Sequence, residues 1–318
     1  MSTMVDRPRA LASGLTLAIL SAVFFGSSGV SAKALIEAGW TAGGAVLARL
    51  AGSAVVLLVV GTIVYRGRWP LRPGAVRTLV IYGAVAMAWT QFAYFAAVRT
   101  LDVSVALLIE FLAPVLLLGW TALRTRTLPA RLTLAGAAVA LTGLVLVIDP
   151  RGAGPLDPVG VAWALGAAVG LGAFFVLSSR DSSGLPALVM AAGGTLVGAI
   201  VIAAAGLIGL VPIRMTARPT LLAGAEAAWW VPTIWLVLVA TVAAYLTGIG
   251  AITRLGTRVA SFVGLTEVLA AVLIAWVVLS ELPGTPQLIG GILILTGIVL
   301  VQRDAGASVT EGGPAWDR

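Results

Sequence analysis

The chain has 318 residues, of which 60% are hydrophobic and only 10% charged, and its net charge is +7. It contains no cysteine and no histidine, which excludes disulfides, thiol catalysis and the usual zinc and haem sites. Apolar stretches close to the ~20 residues that cross a bilayer as a helix recur along nearly the whole sequence, so little is left for a soluble domain, and no cofactor is expected.

In chain order the hydropathy pattern predicts ten spans, at roughly 12–32, 41–64, 76–98, 103–123, 132–149, 158–179, 186–210, 232–252, 259–280 and 286–302. The runs are continuously apolar, whereas the strands of a membrane barrel alternate in polarity over about 10 residues. Arg7 and Arg9 ahead of the first apolar run imitate a signal peptide, but the run is too long for its hydrophobic region, so an uncleaved first helix is expected. Residues 1–11 form a cytoplasmic segment and residues 303–318, polar and glycine-containing, a disordered cytoplasmic tail. Between the seventh and eighth spans, Val211 to Pro232 is the one sizeable loop. Its Trp229 and Trp230 are expected at the outer interface, on a short amphipathic piece.

The chain nearly repeats itself. The string LTGLVLV at Leu141–Val147 returns as LTGIVLV at Leu295–Val301, and the same 154-residue register pairs Leu128-Pro129 with Leu282-Pro283, Gly136 with Gly290 and Leu101 with Leu255. The first span matches the sixth through Gly14 and Gly160 at the start and Ser31-Ala-Lys33 and Ser178-Ser-Arg180 at the end. Two five-helix repeats follow, residues 12–150 and 157–302. An odd number of spans per copy makes the second copy enter the bilayer from the opposite side, the architecture of secondary transporters with a midplane site between the halves. The expected fold is an all-α integral membrane protein of ten transmembrane helices in two inverted repeats.

Orientation comes from the basic residues. With both termini in the cytoplasm, thirteen fall on the inner side between Arg7 and Arg303, against five outside: Lys33, Arg99, Arg151, Arg214 and Arg218. The arginines are therefore topology determinants spread over loops, with no basic groove for nucleic acid.

Three ionisable residues stand well inside the spans: Arg49 in the second, Glu110 in the fourth and Glu267 in the ninth. Charge at mid-membrane costs several kcal/mol, so such residues face a cavity or a partner. In the 154-residue register Glu110 falls opposite Gly264, one turn from Glu267, which places both carboxyls near the pseudo-twofold axis. They would lie seven and eight residues in from opposite membrane faces, about 10–12 Å deep. Either carboxyl suits a proton carrier; a permanently protonated glutamate, or one paired with Arg49 to tie helices together, is the plainer alternative. Arg49 also suits a substrate carboxylate. Ser27, Ser28, Trp89, Gln91, Tyr94, Trp163, Thr241 and Tyr245 are candidates to complete a cavity for a small zwitterionic solute, with packing and interface anchoring as the alternative for each. Pro114, one turn beyond Glu110, is expected to bend the fourth span; its counterpart is Val268, so that kink is not expected twice.

Gly26-Ser27-Ser28-Gly29 also reads as the GxSG string of an intramembrane serine protease, but no histidine is present as a base, and small residues allowing close helix packing explain it better. No GxxxxGK[ST] string is present, which leaves ATP-driven pumping without support.

Phe25-Gly26-Ser27-Ser28 leading to Lys33, Ala48-Arg49, Leu265-Thr266-Glu267, Ser280-Glu281-Leu282 and the glycine-rich last helix of each repeat resemble the EamA type of the drug/metabolite transporter superfamily, over roughly Gly14 to Val301. Glu110-Phe-Leu-Ala-Pro114 further resembles the branch that exports threonine and homoserine. Two departures stand out: Glu267-Val268 where the family often has Glu-Pro, and Thr127 where the first repeat would match the acid Glu281. The resemblance implies a central cavity among helices one, three, four, six, eight and nine, and export of amino acids or related metabolites in exchange for protons at the inner cell membrane. Its partners would be the lipid bilayer, a small-molecule substrate and protons, with homodimerisation left open. Efflux of cationic drugs, uptake of a small metabolite and a non-transporting receptor or scaffold are the other readings; an enzyme is not expected.

Overall fold

The computed structural model describes the backbone of residues 6–126, 131–148, 156–179 and 185–311, with side chains from Ala12 to Leu300 except 121, 125, 148, 175–179 and 256–262. Leu128-Pro129, Thr127, Arg151, Arg180, the first five residues and the end of the expected tail, 312–318, lie outside the described residues. The helices are α1 (Asp6–Glu37), α2 (Ala42–Val64), α3 (Ala75–Ala97), α4 (residues 103–125), α5 (Arg131–Ile148), α6 (Pro158–Ser179), α7 (Ala187–Leu207), α8 (residues 230–264), α9 (Thr266–Leu279) and α10 (Thr285–Glu311). Among the described residues six stretches are long and apolar enough to cross a membrane: Ala12–Glu37, Ala42–Val64, Ala75–Ala97, Val103–Arg124, Ala187–Leu207 and Trp230–Leu255. Four shorter apolar helices join them, Arg131–Val147, Pro158–Phe174, Thr266–Leu279 and Thr285–Leu300. Large apolar side chains point outward from these helices, among them Leu123 at 80% exposure and Ile63 and Val76 at 71%. Apolar surface on that scale is the mark of a chain whose solvent is lipid. The protein is a membrane protein.

Three boundaries differ from the sequence expectation, the first being α1, which begins at Asp6 inside the expected cytoplasmic segment and ends at Glu37, past the expected end of the first span. No interruption marks the loop expected at 253–258: helical backbone runs on to Gly264, a turn follows at Leu265, and α9 begins only at Thr266. The helical backbone of α10 continues to Glu311, past the expected end of the last span and into the segment expected as a tail. The loop between α7 and α8 also departs from a short amphipathic piece, because it carries a β-hairpin, β1 (Thr220–Leu222) and β2 (Ala225–Ala227), with Leu221 opposite Glu226. Ala223 (φ 51°) and Gly224 (φ 76°) form its two-residue turn, the left-handed pair that matches strand twist in a tight hairpin. Among the described residues the fold is thus helical with one small two-stranded sheet.

The repeat seen in the sequence is also seen in the packing. Helices α5 and α10 lie antiparallel with glycine against backbone: Gly143 faces the Gly290 carbonyl and Ile294, while Gly297 faces the Gly136 carbonyl and Ala140. Gly136 and Gly290 are repeat counterparts, and so are Gly143 and Gly297, so each contact is the image of the other under a twofold rotation. Partners are exchanged elsewhere by the same rule. Gly14 of α1 packs on Leu255 of α8 and Gly160 of α6 on Leu101 beyond α3; Gly26 packs on the Glu267 carbonyl, and its counterpart Gly172 faces the Ala113 carbonyl. With no hydrophobic drive between helices in lipid, close approach over small residues supplies the attraction.

Irregular backbone recurs in both halves too. A π-helical stretch occupies Gly83–Trp89 in α3 and Trp235–Ala243 in α8, and both end at the same point of the 154-residue register. In each a threonine hydroxyl donates five residues back, Thr90 to the Val85 carbonyl at 2.9 Å and Thr241 to the Leu236 carbonyl at 2.8 Å. Helix α4 is interrupted after Glu110, where Pro114 has no N–H to give the Glu110 carbonyl. The duplicate kink that the sequence argued against is present: the backbone breaks at Leu265, beside the register position of Glu110. Thr266 there donates its hydroxyl to the Val263 carbonyl at 2.6 Å and Val268 N–H turns to Leu265 at 3.3 Å. A glycine next to a back-bonding threonine bends a helix without proline.

Candidate functional site

The buried cation is built first. Arg49 is 3% exposed on α2, and its guanidinium is held in place by α8: Nε donates to Thr241 Oγ1 at 2.8 Å and an Nη to the Ala240 carbonyl at 3.3 Å. The widened π turn presents that carbonyl sideways, a recurring use of such bulges. Phe95 of α3 lies beneath the guanidinium, 5.5 Å from ring centre to charge, a cation–π arrangement that has weight in a dry setting.

Glu110 (8% exposed) ends the first segment of α4 and Glu267 opens α9. Arg49 lies within electrostatic reach of both carboxyls and of the neutral Tyr94 and Tyr245 side chains, and Glu110 within reach of Glu267. The five residues therefore form one electrostatic cluster between the repeats. Among the described residues no ion pair within 4 Å joins Arg49 to either carboxyl; the structural pairing weighed from sequence is replaced by the Thr241 and Ala240 bonds. Each glutamate sits at a helix interruption, Glu110 at the end of the first segment of α4 and Glu267 in the first turn of α9. A helix N-terminus there favours a carboxylate by its dipole.

The remaining candidates divide. Tyr94 (5% exposed) brings its hydroxyl against Gly29 of α1, and Tyr245 donates to Met87 Sδ at 3.2 Å while meeting Phe25 edge-on at 5.1 Å. Met87, Gln91, Tyr94 and Phe95 fall on one α3 face by helical spacing, and Gln91 Oε1 is buried without a hydrogen-bond partner. Ser27 donates to the Phe24 carbonyl at 2.7 Å and accepts from Trp235 Nε1 at 2.9 Å, so it is a helix-joining hydroxyl; Ser28 beside it is 6% exposed. Gly26 and Gly29 serve close packing against α9 and Tyr94, as the plainer reading of that string expected. Trp163 is not brought to the cluster by any described ring contact: it stacks with Trp89 at 6.0 Å and Phe92 at 5.4 Å on the seam between α3 and α6. A groove of about 320 Å³ opens between α9 and α10, lined by Leu265, Thr266, Leu269, Leu295, Thr296 and Val299. It is apolar and holds none of the candidate residues, so it belongs to the lipid-facing surface.

A second charged group was counted from sequence only as loop residues. Lys33 of α1 pairs closely with Glu281, just beyond α9, and lies 3.8 Å from Asp102, in the turn before α4. The signal is present in the family-like strings Lys33 and Ser280-Glu281-Leu282, but 248 positions separate the partners and both lie just outside the spans expected from sequence.

The chain matches the profile of the EamA-like transporter family twice, over residues 12–149 and 158–303. No curated protein matches it. Among solved structures one described only as "Crystal structure of protein" has 18% sequence identity and a TM-score of 0.57, covering 93% of this chain and 98% of that one. At that identity the likeness is one of fold. Two family matches, one on each half and together spanning most of the sequence, place the chain in the EamA-like transporter family.

Proposed function

We propose that the protein is a secondary active transporter that exports amino acids or related small metabolites by proton exchange, working by alternating access and without catalysis. Its ten apolar helical stretches would cross the inner cell membrane as two inverted five-helix repeats, with both termini in the cytoplasm. The observation that carries this reading is the cluster of buried Arg49 and Glu110 with part-buried Glu267, drawn from both repeats and flanked by paired helix interruptions. Broken helices at such a junction offer free backbone groups and helix ends to a solute and its coupling ion. Two carboxyls and one guanidinium suit a zwitterion, with an ammonium on the acids and a carboxylate near Arg49.

A second reading, efflux of cationic compounds, draws on one feature: Arg49 already has two hydrogen-bond partners and an aromatic base, while neither carboxyl has an ion-pair partner among the described residues. The test is efflux from cells preloaded with an amino-acid and drug panel, read by mass spectrometry for wild type, Glu267→Gln and empty vector. Loss of one solute class with wild type alone names the substrate, and Glu267→Gln abolishes its dependence on external pH. Equal retention in all three rejects export.

A further inference from the structure

One end of the bundle is fastened across both repeats by bonds that the central cluster does not use. Lys33 Nζ donates to the Leu101 carbonyl at 3.1 Å and pairs with Glu281, whose Oε2 accepts the Val103 N–H at 3.0 Å. The Lys33 and Glu281 side chains are 13% and 12% exposed, so the pair is shielded, whereas Asp102, at 44%, faces outward. Beside it the hairpin turn donates Ala223 N–H to the Val278 carbonyl at 2.8 Å, in the last turn of α9. The loop leading into the hairpin is stitched to the α1–α2 turn: Trp40 Nε1 donates to the Thr216 carbonyl at 2.8 Å, and Thr216 donates to Ala38 at 2.8 Å. Helices α1 and α4 of one repeat and α9 of the other are thus held together at this end.

The sequence does not repeat this lysine–glutamate pair at its register positions in the other half. Repeat counterparts of Lys33, Glu281 and Asp102 are Arg180, Thr127 and Gly256, and neither 124–131 nor 253–258 contains an acid. The symmetry that governs the glycines is broken here by charge.

We propose that the Lys33–Glu281 pair is a one-sided latch: it holds the outer end of the solute path shut and must part for that end to open. The inference rests on the alternating-access reading, but its test needs no substrate. The chain has no native cysteine, so Ser104→Cys introduces a single thiol. Ser104 is fully buried, its hydroxyl has no hydrogen-bond partner, and it follows Val103, which the latch holds. In intact cells this thiol reacts slowly with a membrane-impermeant maleimide while Lys33 is present. Lys33→Met and Glu281→Gln each raise the rate about tenfold, as a minor open state gains population, and Lys33→Arg keeps it near the starting value. A Thr195→Cys control, equally buried in α7, stays unreacted in every background. Equal Ser104→Cys labelling with and without the lysine overturns the proposal, as does a parallel rise at Thr195→Cys, which would mean general loosening. A failed substrate search with the labelling change intact would count against the proposed cargo and leave the latch standing.

Discussion

Gly26 and Gly172 are symmetry counterparts with unequal room, and substituting each by alanine separates packing from everything else. A β-carbon at Gly26 would lie 2.8 Å from the Glu267 carbonyl oxygen, 3.0 Å from the Ala271 nitrogen and 3.3 Å from Ala270 Cβ. Two of these are backbone atoms of α9, so relief requires the helices to part by several tenths of an ångström. At Gly172 the corresponding carbon meets only the Ala113 carbonyl oxygen, at 3.7 Å, an ordinary contact. Overpacking a tight site costs about 1–3 kcal/mol, and replacing a helical glycine by alanine returns about 1 kcal/mol. Gly26→Ala is therefore expected to be destabilised by about 0–2 kcal/mol and Gly172→Ala to be neutral or up to about 1 kcal/mol more stable. Their difference, about 1–3 kcal/mol, is the packing cost alone, since the helix gain is common to both. Thermal unfolding of the purified variants in one detergent reads that difference directly. Efflux should follow, because the carbon presses on the residue that carries the Glu267 carboxyl. Equal melting of the two variants would refute the close approach of α1 to α9.

Thr241→Val removes the acceptor of Arg49 Nε while keeping the shape, leaving a buried cationic donor unpaired at a cost of about 1–3 kcal/mol; Thr241→Ser should recover most of it in the same melting assay. Asp157 accepts the Val159 N–H at 3.1 Å at the start of α6, and the Thr100 hydroxyl with that N–H holds its carboxyl below the ordinary range. A depressed folded value means the stability advantage over Asp157→Ala is present in full above the ordinary carboxylate range, about pH 4, and is lost as pH falls through the folded value. Melting of both proteins at pH 7 and pH 3 should show the gap closing, and a constant gap would contradict the cap. Trp40→Phe deletes the bond to the Thr216 carbonyl, and limited trypsin cleavage after Arg214 should accelerate; an unchanged digestion rate would mean that the loop is held by other contacts.

Much of the chain's order is legible because it rests on patterns that sequence displays in line. Apolar run lengths give most helix limits to within a few residues, and the LTG strings give the repeat, though not the packing of its two last helices on each other. The plainer reading of Gly26-Ser27-Ser28-Gly29 was legible for the same reason: small residues have few roles inside lipid. What escaped was backbone irregularity without proline. The break at Leu265 depends on one threonine hydroxyl choosing the Val263 carbonyl, a choice that composition does not reveal, and it moved Glu267 from mid-helix to a first turn. The hairpin escaped because its turn is Ala223-Gly224, a weaker signal than Asn-Gly. Arg49 was found by its burial in an apolar run, but its partners were not, since Thr241 lies 192 positions away and looked like one more polar residue in a span.

The exchange of partners between halves also constrains how the protein is made. The Ser21 hydroxyl of α1 binds the Ala244 carbonyl of α8, 223 positions later at 2.9 Å, and Gly26 packs on α9, which is later still. At ribosomal speeds of about 5–20 residues per second, α1 resides in the membrane for roughly 10–45 s before that partner exists. During that interval its small-residue face, Gly26 and Gly29, and its buried hydroxyls are open to any helix nearby. A nascent chain halted before α8 should then be the form most readily captured by membrane insertion chaperones and most quickly removed by intramembrane quality control, and completion of the second repeat should release it from both.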